Sequence, residues 1–405
     1  MLLTKLKNNY DYTVKACYSA YITQAIAINF VPLLFLTFQK DFGLSLAQIS
    51  TLVTVTFVIQ LIVDVASANF VDKIGYRVCA VAAHIFSALG FVLLAILPNA
   101  FSEPFYGILF ACFFYSCGSG LIEVLVSPIV EASPADNKAS VMAVLQSVYC
   151  WGTAVVILVS TVFFRVFGIG SWRIMSCLWA IVPLSNVVMF LLVPINTITE
   201  NGKGIGISSL IKRKIFWMAV LLMICSGASE LAMSQWASAF AESGLGVSKA
   251  TGDLLGAFMF AVLMGLGRIV YSRVVVRVSL LKYMVACAVL CIAAYLVASL
   301  SQNPIAALVG CAVTGFSVGV FWPGIFSFAA EKCHDGGTAL FALLAFSGDA
   351  GCTTGPALVG FVSDALGGNI KLGLLSAVIF PILLIIFALA AGRIKNPTEK
   401  LSCAE

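Results

Sequence analysis

Charge is what this sequence has least of: Asp, Glu, Lys and Arg together make up 10% of its residues, against about 25% in soluble domains. So few charges cannot cover a water-facing surface, which excludes an ordinary soluble protein. Histidine is nearly absent, with only His84 and His334, and no CxxC pair or Cys/His ligand spacing occurs. No metal centre or redox dithiol is therefore expected. The 13 cysteines, Cys79, Cys112, Cys117, Cys150 and Cys287 among them, lie scattered inside apolar stretches and read as small buried hydrophobes. A cleavable leader is not expected either. The start, Met1 to Lys15, is polar and basic, and the apolar block after it has no small-residue cleavage site, so that block is expected to stay as a first helix.

What is present is hydrophobic: 61% of the residues, with a mean hydropathy of +1.05. The apolar residues recur in blocks of about 20, the length that crosses a bilayer core. Blocks bounded by charge, Gly, Pro, Asn or Ser clusters predict helices near 15–38, 46–70, 78–98, 104–131, 138–165, 172–194, 215–241, 248–271, 280–300, 304–331, 338–364 and 371–392. The expected fold is an all-α polytopic membrane protein of about twelve transmembrane helices, in two pseudo-symmetric six-helix bundles. An even number of spans puts both termini on one side. That side, with the even-numbered loops, collects all of the 23 Lys and Arg except Lys40, Arg165, Arg173, Lys249 and Lys371. Basic loops face the cytoplasm, so both termini are expected there.

The longest polar break, 195–214, falls between the sixth and seventh blocks and predicts bundles at 1–194 and 215–405 joined by a cytoplasmic linker. The halves repeat each other. Gly43-Leu44-Ser45 and Gly246-Val247-Ser248 open the second and eighth helices, and Met142-Ala143-Val144-Leu145 in the fifth matches Phe341-Ala342-Leu343-Leu344 in the eleventh. Gly152 and Gly351 follow those two runs, and the offsets, 203 and 199, agree. Two such repeats around a midplane site are a transporter design.

Four acids fall inside predicted spans: Asp64, Glu123, Glu230 and Asp349. Ionised in lipid, each costs about 2.5–3.5 kcal/mol on insertion scales. No Lys or Arg stands beside them in mid-span, so they are expected to be neutral or turned towards a watery cavity, as functional intramembrane acids are. Glu123, Glu230 and Asp349 are the candidate proton carriers. Glu123 follows Gly118-Ser119-Gly120 and precedes Pro128, Glu230 follows Ser226-Gly227-Ala228-Ser229, and Asp349 lies in Gly348-Asp349-Ala350-Gly351. Gln24, Asn29, Gln146, Tyr149, Trp151 and Trp322 could hold a solute, because amides both donate and accept and aromatic faces suit a sugar ring. Trp172 and Trp217, near span ends, read as interfacial anchors.

Between the second and third helices stands Ala68-Asn69-Phe70-Val71-Asp72-Lys73-Ile74-Gly75-Tyr76-Arg77. This run resembles the cytoplasmic signature of the major facilitator superfamily, with Ala68 in place of its first Gly. Gly75 supplies a tight turn. A degenerate copy, Gly265-Leu266-Gly267-Arg268, ends the eighth helix, and Glu131 and Glu331 end the fourth and tenth. Asp72, Arg77, Glu131, Arg268 and Glu331 are accordingly expected to form a cytoplasmic gate.

Leu121-Ile122-Glu123 with Pro128, Gln146 to Gly152, and Trp322-Pro323-Gly324-Ile325-Phe326 are similar to segments of the fucose permease branch of that superfamily, which are proton-coupled sugar symporters. The resemblance implies that Glu123 carries the proton and Gln146 binds the sugar. That branch has an acid in its first helix where this chain has Asn29, so Glu230 or Asp349 would supply the second carboxylate. The expected function is proton-coupled symport of a sugar or similar small neutral polar solute, with sodium as the other candidate coupling ion. The competing readings are export of drugs or organic cations, and a membrane-embedded enzyme or transport-inactive sensor. A monomer in the bilayer is expected, in the plasma or inner membrane, with no cofactor, no nucleic-acid partner and no enzymatic activity.

Overall fold

The structure, a computed structural model, describes residues 9–134, 138–195, 210–274, 278–333 and 337–393. The side chains of Asp72, Glu131 and Gln146 lie outside the described residues, as do residues 196–209 of the 195–214 linker. Among the described residues every element is helical. The segments are α1 (Tyr10–Phe42), α6 (Ile169–Leu192), α7 (Lys214–Gly244), α8 (Lys249–Tyr271), α10 (Pro304–Ala329) and α12 (Ile370–Gly392), with α2 (Leu46–Ile74), α3 (Tyr76–Ile96), α4 (Pro104–Ala132), α5 (Lys138–Phe167), α9 (Leu280–Leu300) and α11 (Gly337–Ala365). Eleven segments among the described residues are long and apolar enough to cross a membrane. The 29-residue α11 coincides with the remaining predicted block.

α1 is longer than the predicted 15–38 and is broken. Its helix Tyr10–Asn29 gives way to a 3-10 turn, Val31–Leu34, before helix Phe35–Phe42 resumes. Pro32 is the cause: it has no N–H and its ring crowds the carbonyl four residues back. That carbonyl, Ile28, accepts instead from the Gln235 amide at 3.2 Å.

The repeat seen in the sequence has a backbone counterpart. Gly43 and Gly246 have φ of +68° and +67°, a left-handed conformation that glycine adopts without steric cost. Each is followed by a serine N-cap, Ser45 accepting from the Gln48 N–H and Ser248 from the Thr251 N–H. Gly75 likewise makes the turn between α2 and α3, with φ +96°.

Packing divides the chain into two units that do not follow the covalent break. The first comprises Met1–Thr199 with Gln235–Val262, the second Glu200–Ser234 with Leu263–Glu405. The second stretch of the first unit is anchored there by Trp236, fully buried with its ring 5.3 Å from Phe35, and by the Gln235 bond to Ile28. The first unit's core joins Ala16, Ala20, Ala83, Leu125, Ile129 and Phe190 from α1, α3, α4 and α6. Trp172, expected at the interface, is instead 1% exposed. Phe38 and Phe42, one helical turn apart, take its ring edge-on at 5.4 and 6.4 Å. Trp217 is exposed. Of the cysteines, Cys177 is exposed and Cys117 half-buried, and the others described are buried.

In the second unit α7 and α11 meet through glycine. A Cβ at Gly351 would lie 2.0 Å from the Ile224 carbonyl oxygen, so only a residue without a side chain fits. Its repeat partner Gly152 faces Ala25 of α1 at 3.4 Å, an ordinary contact.

Candidate functional site

In the first unit the polar residues of four helices face one another because they share helical phase. Ser119, Glu123 and Ser127 stand at four-residue intervals on α4, Gln60 and Asp64 on α2, and Tyr149 and Thr153 on α5. Such spacing places side chains on one face. The Gln24 amide on α1 donates to Glu123 Oε2 at 2.8 Å, and the Asp64 carboxylate acts on Glu123 electrostatically. Below and above this pair, the Gln60 amide donates to Ser119 at 2.8 Å, and the Tyr21 and Ser127 hydroxyls meet at 3.4 Å. The Tyr21 ring lies edge-on to Tyr149 at 6.4 Å. The Asn29 amide donates to Thr153 at 3.2 Å and to the Ala25 carbonyl at 3.0 Å. Two carboxyls, three amides and several hydroxyls can together exchange a proton and bind hydroxyl groups.

Gln24, Asn29, Tyr149 and Glu123 are thus brought together. Trp151 is not: it is 43% exposed and lies on an apolar stripe of α5 with Val155, Leu158, Val159, Val162 and Val166, on the side of the helix away from Tyr149 and Thr153. Gln146 lies outside the described side chains.

In the second unit Glu230 is 7% and Asp349 5% exposed. The outer edge of the Trp322 indole packs against Gly348, whose Cβ would lie 2.3 Å from it, so this aromatic is next to the residue that precedes Asp349. The Arg268 guanidinium acts on Glu230 electrostatically. Arg268 sits three residues before the end of α8 at Tyr271, near the helix end and not in mid-span.

Two other expected gate residues, Arg77 and Glu331, each have partners within their own unit. Arg77 donates to the carbonyls of Phe190 at 2.7 Å, Leu191 at 3.1 Å and Val193 at 2.8 Å. It therefore satisfies the unpaired carbonyls at the C-terminal end of α6. Glu331 is largely exposed and pairs with its neighbour Lys332 at 3.5 Å, a contact worth little in water. Asp72 and Glu131 lie outside the described side chains.

Sequence reasoning missed Gln60, Tyr21 and Thr153, and also Asp253, a wholly buried acid near the start of α8. The signal for the first three was present as four-residue spacing from Asp64, from Gln24 nearby and from Tyr149. Asp253 lay too close to a predicted span end to stand out. Among the described residues no group of three or more His, Cys, Asp or Glu is gathered as for a metal.

A family model described as the Major Facilitator Superfamily matches residues 17–356. No curated protein matches the chain. Among solved structures, a bacterial homologue of the human lysosomal transporter Spinster, in an inward-facing and occupied conformation, superposes with a TM-score of 0.78 at 14% identity, covering 96% of this chain and 97% of that one. The Escherichia coli fucose:proton symporter gives 0.65 at 17% identity, with 96% and 100% covered. The nucleoside transporter NupG gives 0.76 at 11% identity, with 94% and 99% covered. At these identities the likeness is one of fold.

Proposed function

The chain belongs to the Major Facilitator Superfamily, and we propose that this integral membrane transporter is a proton-coupled symporter of a sugar or similar small neutral polar solute. The observation that carries the reading is the Gln24–Glu123 hydrogen bond beside Asp64. A carboxyl held by an amide inside a span is a group that can carry a proton across it. A solute that hydrogen-bonds the same groups then changes how tightly that proton is held, and the linkage is reciprocal. The solute's hydroxyls would be met by Gln24, Asn29, Tyr149 and Gln146 in the N-terminal repeat and by Trp322 in the C-terminal one. Transport rather than enzymatic chemistry is the activity this set supports. Glu230 and Asp349 are the second-choice proton carriers.

The test is Glu123→Gln in proteoliposomes under an inward proton gradient. Gln keeps the size of a protonated Glu and cannot release a proton. The variant should bind and exchange solute across the membrane yet fail to concentrate it. Full concentrative uptake by the variant would move the proton to Glu230 or Asp349.

The two bundles of the function are the sequence repeats 1–194 and 215–405, with both termini and the 195–214 linker in the cytoplasm of a cell whose plasma or inner membrane holds the protein. Asp72, Arg77, Glu131, Arg268 and Glu331 would act as an inner gate in the outward-facing state, when helix ends exchange partners. On a cysteine-depleted background, an impermeant thiol reagent added outside should label a cysteine at Ser102 and spare one at Ser279. The opposite pattern would reverse the orientation.

A further inference from the structure

A carboxylate of the first unit with several hydrogen-bond partners stands outside the Glu123 seam. Asp253 is 0% exposed and opens a π-helical stretch, Asp253–Phe258. Its Oδ2 accepts from the Thr161 hydroxyl at 3.3 Å. Its Oδ1 accepts from the Ser238 hydroxyl and from Lys249 Nζ, the latter at 3.4 Å. Lys249 Nζ donates in turn to the Leu33 carbonyl. That carbonyl is available because Leu33 lies in the 3-10 turn at the Pro32 break of α1. One ammonium is therefore held by a carboxylate and by a carbonyl from a broken helix, with two hydroxyls around the carboxylate. All of these groups belong to the first unit.

This is the donor set of an alkali-cation site. Carbonyls from unwound helix segments, together with carboxylates, coordinate sodium in other transporters. A second π-helical stretch, Phe240–Gly244, lies just before the cluster in the chain, and π-bulges concentrate at functional positions. The cluster also has access to solvent, since Lys249, Asp253 and Thr161 form part of the wall of a cavity of about 340 Å³, with Thr37, Lys40 and Glu242. The Lys249 side chain is 19% exposed against 0% for Asp253. The lysine thus reaches the acid from the open side on a flexible stem.

We propose that the Asp253 cluster is a monovalent-cation site which the chain fills with its own Lys249 ammonium, a tethered cation in the place that a free sodium ion could take. A stranded charge explains why something must fill it: an ionised carboxylate without a counter-charge is among the most destabilising things a protein can bury. A tethered ammonium makes the site independent of the salt outside. Removing the tether should restore that dependence. This site is separate from the proton-carrying seam, and its test does not require transport.

The experiment is thermal unfolding of the full chain in detergent at constant ionic strength, in choline chloride, sodium chloride or methylammonium chloride. Wild type should melt at the same temperature in all three. Lys249→Ala and Lys249→Met, the second keeping the packing of the stem, should melt lower in choline. They should regain stability with sodium or methylammonium in a saturable manner, as for a ligand that binds only the folded state. Adding Asp253→Asn should remove that response. No response of either variant to sodium or methylammonium would overturn the proposal and leave a structural ion pair. So would variants that fold in none of the salts, because a free cation would then be unable to replace the ammonium. An equal sodium shift in wild type would place the effect elsewhere and overturn it too.

Discussion

The two units surround a buried acid differently. In the first, Glu123 is met by the Gln24 amide and acted on by a second carboxyl, Asp64. In the second, Glu230 has the Arg268 guanidinium acting on it electrostatically. An amide and a neighbouring acid bring no positive charge to Glu123, whereas a guanidinium brings one to bear on Glu230. The difference teaches that a membrane-buried carboxylate is not by itself a proton carrier. What stands beside it decides its chemistry.

The contrast breaks most visibly at Arg268. Arg268→Ala should take away the positive charge that acts on Glu230 and lower stability, by no more than the loss of about 3–5 kcal/mol that breaking a full buried pair causes. Adding Glu230→Gln should recover most of that loss in the melting temperature. A harmless Arg268→Ala would mean that Glu230 is balanced by a proton, as Glu123 is proposed to be.

A smaller effect separates the repeats at their matched glycines. Gly351→Ala drives a methyl into the Ile224 carbonyl, 2.0 Å from the ideal Cβ, while Gly152→Ala meets Ala25 at 3.4 Å. Overpacking of this kind costs about 1–3 kcal/mol. The first variant should melt distinctly lower than wild type, and the second should melt with it. Equal melting of both would show that the α7–α11 contact can open to admit the methyl.

The mildest change is Gln24→Ala, which removes one hydrogen bond to Glu123, worth about 0.5–1.5 kcal/mol. Stability should fall by that order, and the proton dependence of solute uptake in proteoliposomes should shift although Glu123 is untouched. Uptake with an unaltered proton dependence would reduce Gln24 to a packing residue and weaken the contrast between the units.

Much of the fold was legible in the sequence because it depends on local length and hydropathy. Blocks of about 20 apolar residues became helices at the expected places. Gly43, Gly75 and Gly246 turned out to be left-handed or similarly positive in φ, as their places at helix ends imply. The helix boundaries were less legible. Neither the early start of α1 at Tyr10 nor its break at Val31–Leu34 was read, although Pro32 is the physical cause of the break. Of the site, the residues Gln24, Asn29, Glu123 and Tyr149 were picked out singly by their polarity in apolar runs. Trp151 was picked out in the same way, yet lies on an exposed stripe, because residue type says nothing of which face of a helix turns inward.

By itself the sequence determined that this chain lives in a bilayer, that it is built of helices about one membrane thickness long, and that it carries few acids worth their insertion cost. These are properties of residue composition and of order along the chain. The tertiary structure alone decided partnership. Gln24 and Glu123 are 99 positions apart, Thr161 and Asp253 92 apart, and Lys249 and Leu33 216 apart. Whether such groups meet depends on the rotational phase and depth of two helices packed side by side, quantities set by the shapes of all their neighbours and not by any one stretch of sequence.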